Sequence, residues 1–128
     1  MKPTLAALIV GLLVAPLPAI AHHAFAAEFD STKAVTVKGT VNKVEWTNPH
    51  IWIYVDIKDE AGAVARWQCE GGSPNTLTRQ GWSRDSLKAG EQVTIEGYRA
   101  KNGSNTCNSR VVTTAGGKRL FAGSSLGQ

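Results

Sequence analysis

The chain has 128 residues, which is enough for one domain of ordinary size and too few for two. Its 14 basic and 10 acidic residues leave a net charge of +4, and the basic residues are scattered instead of forming a block. This pattern is typical of a solvated surface and excludes a dense basic footprint, so no nucleic-acid partner is expected.

The first 21 residues have the pattern of a secretory signal peptide. Lys2 is followed by an apolar run over 5–14, two prolines and the small-residue pattern A-I-A at 19–21. The run is too short to span a bilayer comfortably, and no later segment has the pattern of a span. We expect cleavage after Ala21, with cleavage after Ala26 as the alternative. The mature protein is then expected in the bacterial periplasm, without a membrane span.

The mature chain is expected to begin with an N-terminal arm over 22–33, which has no clear period. From Ala34 an alternating pattern predicts the first β-strand, with Val37 and Val41 on its apolar side. The apolar phase then shifts, which predicts a β-bulge within 39–43.

A second strand is predicted to begin at His50, directly after the turn dipeptide Asn48-Pro49. Its core face is aliphatic and consists of Ile51, Ile53, Val55 and Ile57. Its opposite face carries His50, Trp52, Tyr54 and Asp56. A third strand is predicted in the segment VARWQCE, after a turn.

One short helix is predicted after the third strand. Ser73 is suited to the N-cap, Pro74 to the first helical position and Gly81 to the stop. This spacing gives a helix of about two turns. A fourth strand around Val93 and Ile95 follows, and then a final hairpin.

The order of these elements predicts the fold class. Three strands, a helix and then further strands follow the order of the OB-fold. We therefore predict an all-β protein with one short helix, a small OB-like closed barrel of five to six strands over 34–123, followed by a frayed tail over 124–128. A generic β-sandwich is the alternative.

Cys69 and Cys107 are the only cysteines. An oxidising compartment favours a disulfide between them. They do not form a C-x-x-C pair, so a thioredoxin-like redox role has little support. A free thiol or a metal site is the alternative.

The three histidines suggest a metal site. Cleavage after Ala21 would give His22 a free α-amine beside its imidazole, and these two groups can chelate one metal ion with His50 as a further ligand. In a competing chelate, the amine acts with the backbone amide and ring of His23. Both modes offer three nitrogens to Cu(II), which has the highest affinity among the divalent ions of its row. The alternative is a solvated N-terminal tail with no metal.

The outer face of the second strand suggests a second kind of site. Trp52, Tyr54 and Asp56 share this face and are suited to binding a peptide, a glycan or a partner protein. The alternative is that Phe25 or Phe29 of the arm covers the two aromatic rings.

No catalytic motif is present in the sequence, and the chain is expected not to be an enzyme. There is no G-x-S-x-G and no zinc motif such as H-E-x-x-H. The side chains of Glu45, Asp56 and Glu70 could lie near one another. Carboxylates on barrel strands, however, usually belong to a solvated face.

Four segments of the chain together carry a resemblance to a known family: HHAFAAEFD, GTVNKVEWTNPHIWIYVDIKD, GSPNTLTRQGWSRDSLKAGEQVTIEGYRAKNGS and RLFAGSS. The chain resembles the small secreted bacterial proteins grouped as domain of unknown function 6152. The resemblance covers nearly the whole mature chain and implies an exported, single-domain β protein without an assigned activity. His22 and His23 lie in its H-H-x-F motif and His50 in its W-T-N-P-H motif, which strengthens the copper hypothesis.

Overall fold

The computed structural model describes residues 25–123. The predicted signal peptide, His22, His23 and the tail over 124–128 lie outside these residues. The strands and the helix are β1 (Phe29–Glu45), β2 (Trp52–Lys58), β3 (Val64–Glu70), α1 (Pro74–Arg79), β4 (Gln92–Ala100), β5 (Thr106–Thr114) and β6 (Arg119–Phe121). Residues 25–28 form a helical turn that leads into β1. Within the described range, no helix has the length and apolar character needed to cross a membrane.

The strands form one sheet that closes on itself. Their order is β3-β2-β1-β4-β5-β6, and an additional parallel pairing of β3 with β5 joins the two ends of the five-stranded part. The first residues of β5 pair with β3, and its last residues pair with β6, so the short β6 extends the ring. The predicted all-β fold, with a ring of strands and a short helix between β3 and β4, is confirmed.

β1 is a long, bulged strand that pairs with two neighbouring strands. Its first part pairs with β4 and its second part with β2, and the register with β2 shifts between Val41 and Lys43, where a bulge was predicted. β1 begins at Phe29, inside the predicted arm, because Phe29 is buried and pairs with Ala100. The polar stretch between Phe29 and Ala34 contains a second register shift and hides this pairing from the sequence pattern.

The core lies inside the ring and follows the predicted alternation. Its fully buried side chains include Val37, Ile53, Val55, Ile95 and Val112.

Helix α1 packs on this core through Leu77, which is fully buried. Ser73 caps α1, since its Oγ accepts a hydrogen bond from the N–H of Thr76 at 3.2 Å. Gly81 follows the helix with a φ of 93°, a backbone conformation that glycine adopts without steric cost. The predicted cap, first turn and stop are therefore confirmed.

The disulfide joins the two strands that close the ring. Cys69 on β3 and Cys107 on β5 are direct partners in the parallel pairing, with Cα atoms 4.6 Å apart, and both are fully buried. The predicted Cys69–Cys107 disulfide is present in the structure.

Candidate ligand-binding face

The outward face of β2 is where the sequence predicted a ligand site. Ile53 and Val55 point into the core and are fully buried, so Trp52, Tyr54 and Asp56 lie on the outside. All three are half-buried. The neighbouring outward positions on β3 belong to Arg66, Gln68 and Glu70, which pair in register with Asp56, Tyr54 and Trp52, respectively.

Asp56 is engaged in a cross-strand ion pair. Arg66 Nε lies 2.7 Å from Asp56 Oδ1, and the second guanidinium nitrogen lies 3.1 Å from Oδ2. Asn42, at the bulge of β1, donates to the same Oδ2 at 3.2 Å. The hydrogen bond from Arg66 lowers the pKa of Asp56. Asp56 is therefore occupied within the sheet, and its predicted role as a ligand contact receives no support from this geometry.

Tyr54 is held by β1. Its hydroxyl donates to Glu45 Oε2 at 3.2 Å, and Lys43 Nζ lies 4.5 Å from the ring centre. Burial, followed by the hydrogen bond to Glu45, raises the pKa of Tyr54. Lys43 Nζ also lies 2.7 Å from Glu45 Oε1, so the charges beside this ring are paired.

A cavity of about 550 Å³ opens beside Trp52. It lies between the helical turn at 25–28, the outer faces of β2 and β3, and the connection of β4 to β5 at 101–105. Its polar lining includes Glu28, Gln68, Lys101, Asn102, Ser104 and Thr106. The site therefore combines one half-buried indole with several polar side chains.

A second cavity of about 230 Å³ lies beside Tyr54. It shares Gln68, Ser104 and Thr106 with the cavity beside Trp52. We call these three residues the polar ridge. Trp52 and Tyr54 thus lie next to two adjoining cavities that share the ridge as a common wall.

The residues of the polar ridge are linked by hydrogen bonds. Gln68 Nε2 donates to Thr106 Oγ1 at 3.1 Å, and Ser104 Oγ donates to the same oxygen at 2.9 Å. The N–H of Ser104 donates to Asn102 Oδ1 at 3.0 Å, which orients the Asn102 amide. These bonds connect the polar groups at the surface of the protein.

His50 lies just before β2, and its side chain contacts β3 while remaining partly exposed to solvent. Its Nδ1 is buried and is in close contact with Oε1 of Glu70, while the side chain as a whole is 37 % exposed. Burial raises the pKa of the Glu70 carboxyl; His50 opposes this shift, and the nearby carboxylate of Glu28 adds to it. The sequence offered no sign of this pair, because the two residues meet only through the register of β2 and β3.

The start of the described chain is anchored beside the Trp52 cavity. The N–H of Lys101 donates to the carbonyl of Glu28 at 2.8 Å, and Lys101 Nζ donates to the carbonyl of Ala26. The ring of Phe25 lies 5.7 Å from that of Phe29 and 6.0 Å from that of Tyr98. The helical turn at 25–28 is thus held beside the cavity by backbone and side-chain contacts.

The described part of the arm, residues 25–33, leaves the β2 aromatics partly exposed instead of covering them as the alternative interpretation expected. Phe25 packs against Phe29 and Tyr98, on the side of β4. Phe29 borders the cavity together with Trp52, but both Trp52 and Tyr54 keep part of their surface exposed.

The predicted metal ligands are only partly within the described chain. His50 is described, whereas His22 and His23 lie outside. Among residues 25–123, no group of three or more histidine, cysteine or carboxylate side chains has the arrangement of a metal site. The three carboxylates considered together from the sequence have separate partners: Glu45 contacts Lys43 and Tyr54, Asp56 contacts Arg66, and Glu70 contacts His50.

Sequence reasoning missed the connection between β4 and β5. Lys101, Asn102 and Ser104 read as ordinary loop residues, yet they line the cavity beside Trp52. The predicted OB-like order was the available signal, because in that fold the loop between the fourth and fifth strands lies beside the face of strands two and three.

The comparisons with known proteins place the chain in a family but give no activity. The chain matches the model of a family of unknown function, DUF6152, over residues 10–109. No curated protein matches the chain. The matched span covers most of the chain, including β1 to β4 and the start of β5. The chain therefore belongs to the DUF6152 family.

Proposed function

We propose that the protein is an exported binding protein that takes a small ligand on the outer face of β2 and β3. The observation that carries this proposal is the cavity of about 550 Å³ beside Trp52, whose volume lies within the range of small-molecule sites. Export to the periplasm rests on the predicted signal peptide, and the Cys69–Cys107 disulfide is compatible with that compartment.

The lining of the cavity supports ligand binding over a purely structural role. Half-buried indole surface beside a cavity gives a ligand apolar area to cover. The groups of the polar ridge are linked by hydrogen bonds to one another and retain further donors and acceptors for a ligand.

The test is a set of NMR titrations that follow the backbone amide signals. The isotopically labelled protein is titrated with a monosaccharide, a dipeptide and a mononucleotide, as wild type and as Trp52→Ala. We expect one class of probe to shift the amide signals of Trp52, Gln68 and Thr106 and to lose its effect in Trp52→Ala.

Val64→Ala is the matched control for this experiment. Val64 is 58 % exposed at the far end of β3, outside both cavities, so its truncation should leave every titration unchanged. Shifts that are the same in wild type and Trp52→Ala would contradict the proposed site.

A second candidate function is Cu(II) binding by His22 and His50, and it is favoured by the pairing of His50 with Glu70. A carboxylate in contact with Nδ1 of a histidine leaves Nε2 to bind a metal ion, and a carboxylate beside the other ring nitrogen is common among metal-ligating histidines. The nearby carboxylate of Glu28 adds negative charge, which favours a cation.

In this hypothesis the first ligands come from the N-terminal histidines, which lie outside the described residues. His22 is three residues before Phe25 in the sequence. The amine and ring of His22 would act with His50, and His23 would be an extra ligand or provide the competing chelate. The amine must lose its proton on binding, so affinity should rise with pH toward about 8.

The copper hypothesis is tested by comparing two N-termini. Cu(II) titrations followed by electron paramagnetic resonance use protein that begins at His22 and protein with one extra residue before it. We expect tight binding only in the first, weakened by His50→Ala. Equal and weak binding by both forms would refute this candidate.

A further inference from the structure

We infer that the ligand of the β2–β3 face is a neutral oligosaccharide, bound across Trp52, the polar ridge and Tyr54. This inference rests on the ligand-binding function proposed above and specifies its ligand. It follows from the hydrogen-bonding capacity of the ridge, the charge balance of the lining and the presence of two adjoining cavities.

The polar ridge presents a donor and an acceptor side by side. Thr106 Oγ1 accepts from Gln68 and shares a hydrogen bond with Ser104 Oγ, so this pair of hydroxyls retains one proton that can be donated to a ligand. Gln68 donates through Nε2, which leaves its amide oxygen as an acceptor. Each sugar hydroxyl both donates and accepts, so neighbouring hydroxyls of one sugar ring complement this pair.

Asn102 extends the same pattern. Its Oδ1 accepts from the N–H of Ser104, so its amide nitrogen retains two protons to donate. Beside these groups the indole of Trp52 provides apolar area on which the C–H face of a sugar ring can pack. The site thus offers an apolar surface next to uncharged donors and acceptors.

The charges of the lining balance, which favours a neutral ligand. The cavity beside Trp52 contains one carboxylate, Glu28, and one ammonium group, Lys101, and the latter already donates to the carbonyl of Ala26. In the cavity beside Tyr54 the guanidinium of Arg66 is paired with Asp56. A phosphate backbone finds no uncompensated cluster of cations here, so a nucleic acid is disfavoured.

The closure of the ring disfavours a peptide at the same place. An extended peptide usually binds by adding a strand to a free sheet edge. Here the edge of β3 beside the cavity is already paired with β5, from Gln68 to Glu70. Recognition must therefore come from side chains, which suits a ligand whose polar groups project from a ring.

Two cavities on one ridge indicate more than one sugar unit. Trp52 and Tyr54 are two residues apart on β2, so their backbone positions are separated by about 6.6 Å. Cavities of about 550 and 230 Å³ lie beside them and share the three ridge residues. A ligand that spans the ridge can contact both aromatic residues at once.

The test uses NMR titrations with defined probes of similar length. Maltotetraose, cellotetraose and N-acetylchitotetraose represent neutral oligosaccharides, and tetraglycine and a thymidine tetranucleotide represent the other two ligand classes. Each is added up to about 10 mM, which detects dissociation constants in the millimolar range. We expect at least one oligosaccharide to shift the amide signals of Trp52, Tyr54 and the ridge.

Two variants then test the contacts. Trp52→Ala should weaken oligosaccharide binding about tenfold or more, since it removes the apolar surface. Thr106→Val keeps the side-chain shape and removes the hydroxyl to which Gln68 and Ser104 are hydrogen-bonded, so binding should weaken about fivefold. Thr36→Val, on the outer face of β1 and outside both cavities, is the matched control and should bind like wild type.

The possible results separate this inference from the broader function. If tetraglycine or the tetranucleotide binds in a Trp52-dependent way and no oligosaccharide does, the ligand class is wrong and the binding face stands. If no oligosaccharide shifts any of these signals, the inference is refuted. If every probe acts equally on wild type and Trp52→Ala, the inference and the proposed binding face both fail.

Discussion

Reduction of the Cys69–Cys107 disulfide should cost a large part of the stability of the protein. The bond joins β3 to β5 at the pairing that closes the ring, and its two ends are 38 residues apart in sequence. In the folded state both strands are also held by their other neighbours, β2 and β4. We therefore expect the folded ring to survive reduction, while the unfolded chain gains freedom.

The size of the effect follows from the length of the closed loop. In the chain-entropy model, a loop of 38 residues contributes about 4 kcal/mol to the free energy of unfolding. Domains of this size have about 5–15 kcal/mol in total, so reduction should leave about 1–11 kcal/mol. With a urea dependence of about 1–2 kcal/mol per molar, the unfolding midpoint should fall by about 2–4 M.

The assay compares urea unfolding of oxidised and reduced wild-type protein by tryptophan fluorescence. The urea dependence itself should be steeper for the reduced protein, because an unlinked chain exposes more surface on unfolding. The double variant Cys69→Ala/Cys107→Ala has neither the disulfide nor the sulfur atoms, so its unfolding free energy, compared with that of the reduced protein, measures the lost sulfur packing in the core. If oxidised and reduced protein differ by less than about 1 kcal/mol, the loop-entropy reasoning is wrong for this ring.

Three further substitutions and one control substitution test other parts of the fold. Gly97→Ala should destabilise the protein by more than about 2 kcal/mol in urea unfolding, since a Cβ there would collide with the β5 backbone. The control Gly116→Ala adds a methyl group in open space and should change stability by less than about 0.5 kcal/mol. Ser73→Ala removes the cap of α1 and should cost about 1 kcal/mol; an unchanged midpoint would show that the cap does not stabilise the helix. Arg66 lowers the pKa of Asp56, so this pair stabilises the fold at neutral pH and loses its effect as the pH falls through that lowered pKa. Asp56→Asn should therefore be less stable than wild type at pH 7 and equal to it in strong acid, and a difference that persists at low pH would contradict this assignment.

Much of the architecture could be predicted from local patterns. The alternation of β2 separates its core face from its outer face because successive side chains of a strand point in opposite directions. The shift of apolar phase in β1 indicated the bulge, and the cap, the proline and the glycine around α1 indicated the helix. With only two cysteines, the disulfide had a single possible pairing.

The start of β1 was hidden from such patterns. Phe29 is followed by a polar stretch that has no β period, so the sequence predicted an arm. The structure forms a strand there because β4 extends to Ala100 and offers Phe29 a partner and a buried position. Pairing with a distant strand outweighed the weak local preference.

The candidate site also combines features that the sequence predicts with features that only the tertiary structure decides. Trp52 and Tyr54 were predicted on the outer face of β2 from the sequence alone, because a strand's alternation needs no knowledge of its neighbours. The polar ridge and the pairing of His50 with Glu70 were decided only by the tertiary structure. Those contacts depend on strand register and on ring closure, which bring together residues far apart in the chain, and no local pattern specifies which residues will meet.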